Sequence, residues 1–172
     1  MITWNIFIWF GVTAIILATA GATAALCAND HWAACSVKYR QRRTIAVSLT
    51  VAAVAVMTAF IIGLWSTLQR PPLRTMGETR LWYSFFALIS GLLTYLRWRY
   101  KWILSYSTVL AAVFIIINIA KPQIHDQSLM PALQSVWFIP HVTVYMFSYS
   151  LLGCAFLLFL QGPRRNSSSI DD

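Results

Sequence analysis

Charge is scarce in this sequence. Only 10% of its 172 residues are charged, and five of them are acidic. A soluble domain carries about 25% charged residues, so an ordinary globular protein is excluded. Cysteine is equally sparse: Cys27, Cys35 and Cys154 form an odd set with no Cys-x-x-Cys. That excludes a disulfide-stapled secreted domain and supports neither a zinc site nor a redox pair. There is no Cys-x-x-Cys-His of a c-type cytochrome, no His-Glu-x-x-His and no phosphate-binding glycine loop. No paired carboxylates lie within an apolar run, so proton-coupled transport finds no carrier group.

What is abundant is apolar surface. Hydrophobic residues make up 59% of the chain and its mean hydropathy is +0.65. Five apolar stretches, over about 2–28, 44–68, 81–96, 102–120 and 141–160, approach the ~20 residues that cross a bilayer core. None has Asp, Glu, Lys or Arg in its interior, and none shows the alternation of a membrane barrel strand. Helices are therefore the spanning structure. The fold expected is an all-α polytopic membrane protein with about five transmembrane helices. The first stretch reads as a retained helix rather than a cleaved signal, because it lacks a basic start and is longer than a signal core. Residues 161–172 read as a flexible cytoplasmic tail.

The net charge of +8 could suggest nucleic acid, but in so apolar a chain it marks membrane orientation instead. Nine basic residues fall in the loops after the first and third stretches and in the tail, against Arg70, Arg74, Arg80 and Lys121 on the opposite side. The expectation is an amino terminus outside and a carboxyl terminus inside, in a bacterial inner membrane. Trp65, Trp82, Trp98, Trp102 and Trp137 stand near predicted helix ends, where indoles favour the lipid interface. Leu129, Leu133 and Trp137 recur every four residues in the long segment after Lys121, predicting a short outer amphipathic helix with Pro131 in its first turn.

Three histidines are present, and the predicted topology separates them. His31, beside Asp30, lies inside, whereas His125 and His141 lie outside. His141 precedes Tyr145, Ser148 and Tyr149 at helical spacing, so the four share one face. Such a stripe should face protein or a cavity rather than lipid. Two readings fit: an axial ligand to haem iron beside an aromatic wall, or an interfacial histidine that caps its helix and bonds to headgroups. Asn118, the one strongly polar residue deep in a late stretch, reads as glue between helices.

The segment Leu129-Met130-Pro131-Ala132-Leu133-Gln134-Ser135-Val136-Trp137-Phe138-Ile139-Pro140-His141-Val142 resembles a passage of the CcsA/CcmC/ResC cytochrome c assembly family. The run from Arg70-Pro71-Pro72-Leu73 to Glu78, followed by Tyr83, Ser84 and Phe85, is similar to that family's earlier outer loop. The likeness is greatest to the CcsA-like part of the system II synthase and covers roughly residues 51–160. It implies a haem-handling component of cytochrome c maturation, with His141 as an external axial ligand to a transient haem b. Pro131, Trp137 and Tyr145 would line the haem; Arg70, Arg74 and Arg80 stand on the side where they would pair with its propionates, or else form a solvated loop that also pairs with Glu78. Apocytochrome c would receive the haem from it as part of a cytochrome c synthase (haem lyase) complex. The family's Trp-rich segment and second external histidine follow the histidine helix, and neither occurs before Asp172. A second synthase subunit is therefore the expected partner, with membrane lipid and without nucleic acid. The competing expectation is a non-catalytic membrane scaffold or truncated relative that has lost haem ligation.

Overall fold

A computed structural model describes residues 4–27, 37–98, 101–121 and 137–166. They form five helices: α1 (Trp4–Leu26), α2 (Val37–Leu68), α3 (Met76–Trp98), α4 (Lys101–Ala120) and α5 (Phe138–Asn166). In hydrocarbon every backbone N–H and C=O must bond within the chain, and helices satisfy that requirement residue by residue. The protein is an all-α polytopic membrane protein. Among the described residues, α1, α2 and α4 contain segments long and apolar enough to cross a bilayer unaided. The hydropathy pattern suggested about five such spans. Helix α3 falls short by that measure because Glu78, Arg80 and Arg97 lie within it.

Helix ends differ from the hydropathy reading in an instructive way. Helix α2 starts at Val37, well before the apolar run, so all four basic residues read as a loop, Lys38, Arg40, Arg42 and Arg43, form its first turns. Arg42 Nη1 donates to the Cys27 carbonyl at 2.6 Å, placing a cation against the carboxyl end of α1, where the helix dipole favours it. Helix α5 likewise continues to Asn166, through part of the segment expected to be a tail. A hydrophobicity pattern marks where lipid ends, not where helical hydrogen bonding ends. The predicted outer helix around Pro131, with His125, and the region of His31 lie outside the described residues.

Helices α1 to α4 form a ring in which each touches the next and α4 returns to α1, while α5 lies outside it against α3. Helices α1 and α2 pack antiparallel around Phe60, whose ring meets Phe7 at 5.0 Å, Phe10 at 5.5 Å and Trp4 at 5.9 Å. Further along, Ala14, Ala18, Ala22 and Ala25 are buried, as are Ala46 and Ala53 of α2. Small residues permit the close backbone approach that drives association where burial from water cannot. Buried hydroxyls bond to carbonyls of their own helices: Thr50 to Ala46 at 2.9 Å and Thr94 to Ser90 at 2.7 Å.

The closest approach is between α3 and α4. A Cβ at Gly91 would collide with the side chain of Ser107. Gly91→Ala should therefore lower the thermal unfolding midpoint in detergent, at a cost of about 1–3 kcal/mol. Adding Ser107→Gly should recover part of that loss, and equal midpoints for the single and double variants would disprove the contact.

Candidate functional site at the Glu78 end of the bundle

Five of the described chain ends meet at one end of the bundle: the start of α1, the end of α2, the start of α3, the end of α4 and the start of α5. The loop from α2 to α3 is fixed there by a single carboxylate. Helix α2 stops at Gln69, whose φ of 51° is left-handed, and Gln69 Nε2 donates to the Ser66 carbonyl at 2.7 Å. Pro71 and Pro72 follow, which cannot continue a helix. Helix α3 then begins with a reciprocal cap. The Glu78 amide donates to Thr75 Oγ1 at 3.2 Å, and the Thr75 amide donates to Glu78 Oε2 at 3.0 Å.

Glu78 does more than cap. Its side chain is 1% exposed and is gripped by both guanidinium nitrogens of Arg70, at 3.1 and 3.2 Å. The Arg74 amide adds a hydrogen bond to Oε2 at 2.6 Å. Trp82 Nε1 donates to the Pro72 carbonyl at 2.9 Å, so its indole is tied to the loop. From α4, Asn118 Nδ2 donates to the Gly77 carbonyl at 3.0 Å, which makes it the interhelical tie that its position suggested. The sequence carried a signal for the cap that the hydropathy reading passed over: Thr-x-x-Glu immediately before an apolar run.

Helix α5 presents the histidine. Pro140, lacking an N–H, is accommodated in its first turn. The His141 amide reaches the Trp137 carbonyl at 3.4 Å. The His141 ring stands edge-on to Tyr145, with centroids 4.5 Å apart and planes at 66°, and Tyr145 approaches Tyr149 at 5.9 Å. His141, Tyr145, Ser148 and Tyr149 are all exposed, and Trp137 is 83% exposed. The stripe thus forms one face, as its spacing indicated, but the described residues leave it uncovered. Met146, Ser150 and Cys154 form the face that is buried.

The proposed site residues are therefore distributed unevenly. His141, Trp137 and Tyr145 cluster at the start of α5, while Arg70 and Arg74 belong to the α2–α3 loop and Pro131 lies outside the described residues. Arg70 is committed to Glu78; Arg74 is exposed. Among the described residues no three His, Cys, Asp or Glu side chains gather to hold a metal ion. A single exposed imidazole could hold only a metal whose remaining ligands came from another group.

Arg70→Gln should cost about 2 kcal/mol of stability, because it leaves a buried carboxylate with only its two backbone hydrogen bonds. Thr75→Ala should cost about 1 kcal/mol. Thermal unfolding of both variants checks the order, and a larger loss from Thr75→Ala would show that the ion pair is secondary.

Comparison with known proteins places this geometry. Residues 72–167, more than half of the chain, match the family described as Cytochrome C assembly protein. Proteins called "Cytochrome c biogenesis protein CcsA" are similar over part of it. The one from Marchantia polymorpha is 31% identical over 105 residues, covering 59% of this chain and 33% of that protein. Those from Phalaenopsis aphrodite subsp. formosana and Pelargonium hortorum are 30% and 34% identical over 112 and 106 residues, covering 63% and 59% of this chain and 35% and 33% of theirs. This chain thus spans about a third of the length of these curated relatives. No solved structure matches it. The matched region begins at the Glu78 loop and runs through the histidine helix, and the chain belongs to the cytochrome c assembly protein family.

Proposed function

We propose that this chain handles haem during cytochrome c maturation and presents it at the Glu78 end of the bundle for attachment to apocytochrome c. The observation that carries the reading is the exposed His141 imidazole, set against Tyr145 at the start of α5 within the family-matched region. His141 supplies an axial bond to iron, and Trp137 and Tyr145 offer aromatic surface beside it. Pro131 belongs to the family-like segment that leads into this helix. Arg74 and Arg70 place positive charge at the same end, although the Arg70 fork is already closed on Glu78.

The bond-forming chemistry belongs to haem b and the apocytochrome. Each cysteine S–H adds across a vinyl C=C, forming one C–S bond and placing the hydrogen on the other carbon, with no external oxidant. This chain contributes ligation, orientation and proximity. A second synthase subunit, seated near the uncovered face of α5, completes the site with the Trp-rich segment. The basic residues at the opposite end support a cytoplasmic carboxyl terminus in a bacterial inner membrane, with the Glu78 end outside.

Two measurements test this reading. A cysteine at Ser128 should react with an impermeant thiol reagent from outside and one at Gln41 should not; the reverse pattern would put His141 on the wrong face. In the protein purified with its partners, His141→Gly should remove most of the Soret absorbance, and added imidazole should restore part of it. His31→Gly should change little. An unaltered spectrum in His141→Gly, with normal membrane insertion, removes His141 as the ligand. Absence of haem from the unmodified complex returns the chain to the role of a scaffold.

A further inference from the structure

The end of the bundle away from Glu78 gathers positive charge from several helices. The ends of α1 and α3 and the starts of α2 and α4 meet there. Ala25, Ala46, Tyr95 and Leu104, one from each, are buried in a single apolar cluster that fixes their relative level. At a rise of about 1.5 Å per residue, Arg43, Arg97 and Lys101 lie within about 5 Å of that layer, on its outer side. Arg42 and Arg40 continue outward along α2. Glu78, the one acidic residue in the described segments, stands at the opposite end and is bound to Arg70. Asp30 falls between α1 and α2 in sequence, outside the described residues, and would offset at most one of these five cations.

The cations are not equally engaged. Arg42 Nη1 is committed to the Cys27 carbonyl at 2.6 Å. Arg97 lies over the ring of Trp98, 5.7 Å from its centroid, a contact that leaves the charge unneutralised. Arg43 is half-buried and Arg97 exposed, and neither has a carboxylate partner among the described residues. They belong to different hairpins, α1–α2 and α3–α4. The chain links those hairpins at the Glu78 end, whereas at this end they meet through the Ala46–Tyr95 packing. Like charges beside such a seam repel unless an anion lies between them.

The surroundings identify the anion. Trp98 is 55% exposed and Trp102 68% exposed, and indoles so placed stand at the level of lipid headgroups. Ile45 and Leu93, toward the bilayer centre from Arg43 and Arg97, are exposed and apolar, a bed for an acyl chain. We propose that this rim binds an anionic phospholipid, with its phosphate held between Arg43 of α2 and Arg97 of α3. A guanidinium offers phosphate two parallel N–H···O bonds, and an anionic headgroup brings no cation of its own to oppose them. An acidic protein segment would match the charges but not the apolar surface that continues from them into the membrane. The lipid thereby joins the two hairpins at the end where no loop connects α2 to α3.

The test dilutes spin-labelled phosphatidylglycerol or phosphatidylcholine into phosphatidylcholine bilayers that hold the full chain with its co-purifying partners. Electron paramagnetic resonance reads the motionally restricted fraction at about 0.5 M salt, where the Debye length is about 4 Å and diffuse attraction is screened. The unmodified protein should prefer phosphatidylglycerol about fivefold. Arg43→Gln and Arg97→Gln should each erase most of that preference, and Arg97→Lys should keep part of it. Arg40→Gln removes the same charge one turn further out and should leave the preference intact. Phosphatidylglycerol should also raise the thermal unfolding midpoint of the unmodified protein but not that of Arg97→Gln. An equal loss of preference in Arg40→Gln would show a diffuse field and overturn the proposal. So would a midpoint rise that persists in Arg97→Gln. Equal restriction of both lipids by the unmodified protein also overturns it, the result expected if an acidic segment of a partner covers the rim. If Arg43→Gln fails to insert, the comparison of Arg97→Gln with Arg40→Gln decides the matter.

Discussion

A carboxylate cannot be taken out of water without partners, and the loop before α3 is arranged around that requirement at Glu78: Arg70, Arg74 and Thr75 all donate to it. The same residue closes the first turn of α3 by accepting from Thr75 while its own amide is taken by the Thr75 hydroxyl. Loop conformation, helix start and charge balance are thus one problem with one solution. Asn118 and Trp82 then tie α4 and the Pro72 carbonyl to that same turn. The depth of α3 follows from this anchor. The height of everything packed on α3, including α5, follows in turn.

Helix α5 depends on that anchor because α3 is its main neighbour in the bundle. Contacts at Phe147 and Cys154 set its level and leave the His141–Tyr145–Tyr149 stripe turned outward. An imidazole and two phenols are poor companions for lipid tails, since each polar tip needs a hydrogen-bond partner. His141 stands in the first turn of a helix, and side chains built on helices are placed more precisely than those on loops.

Helix count, membrane character and the aromatic histidine face were legible because hydrophobicity and helical spacing act locally. The roles of the arginines were not. Arg70, Arg74 and Arg80 look alike as basic residues in a polar stretch, yet one is paired, one is exposed and one carries a buried unpaired nitrogen. The extension of α2 back to Val37 was also hidden, because its basic residues carry no hydrophobic signal although they form helix readily.

The sequence by itself determined that this chain lives in a membrane as helices and that His141 shares a face with Tyr145 and Tyr149, since both depend on composition and on 3.6-residue periodicity. Only the tertiary structure decided that Glu78 belongs to Arg70 and that the described residues leave the aromatic face uncovered. Those facts depend on where distant segments meet: a bond from Asn118 to Gly77 and a contact from Phe86 to Phe147 join residues that no local pattern relates.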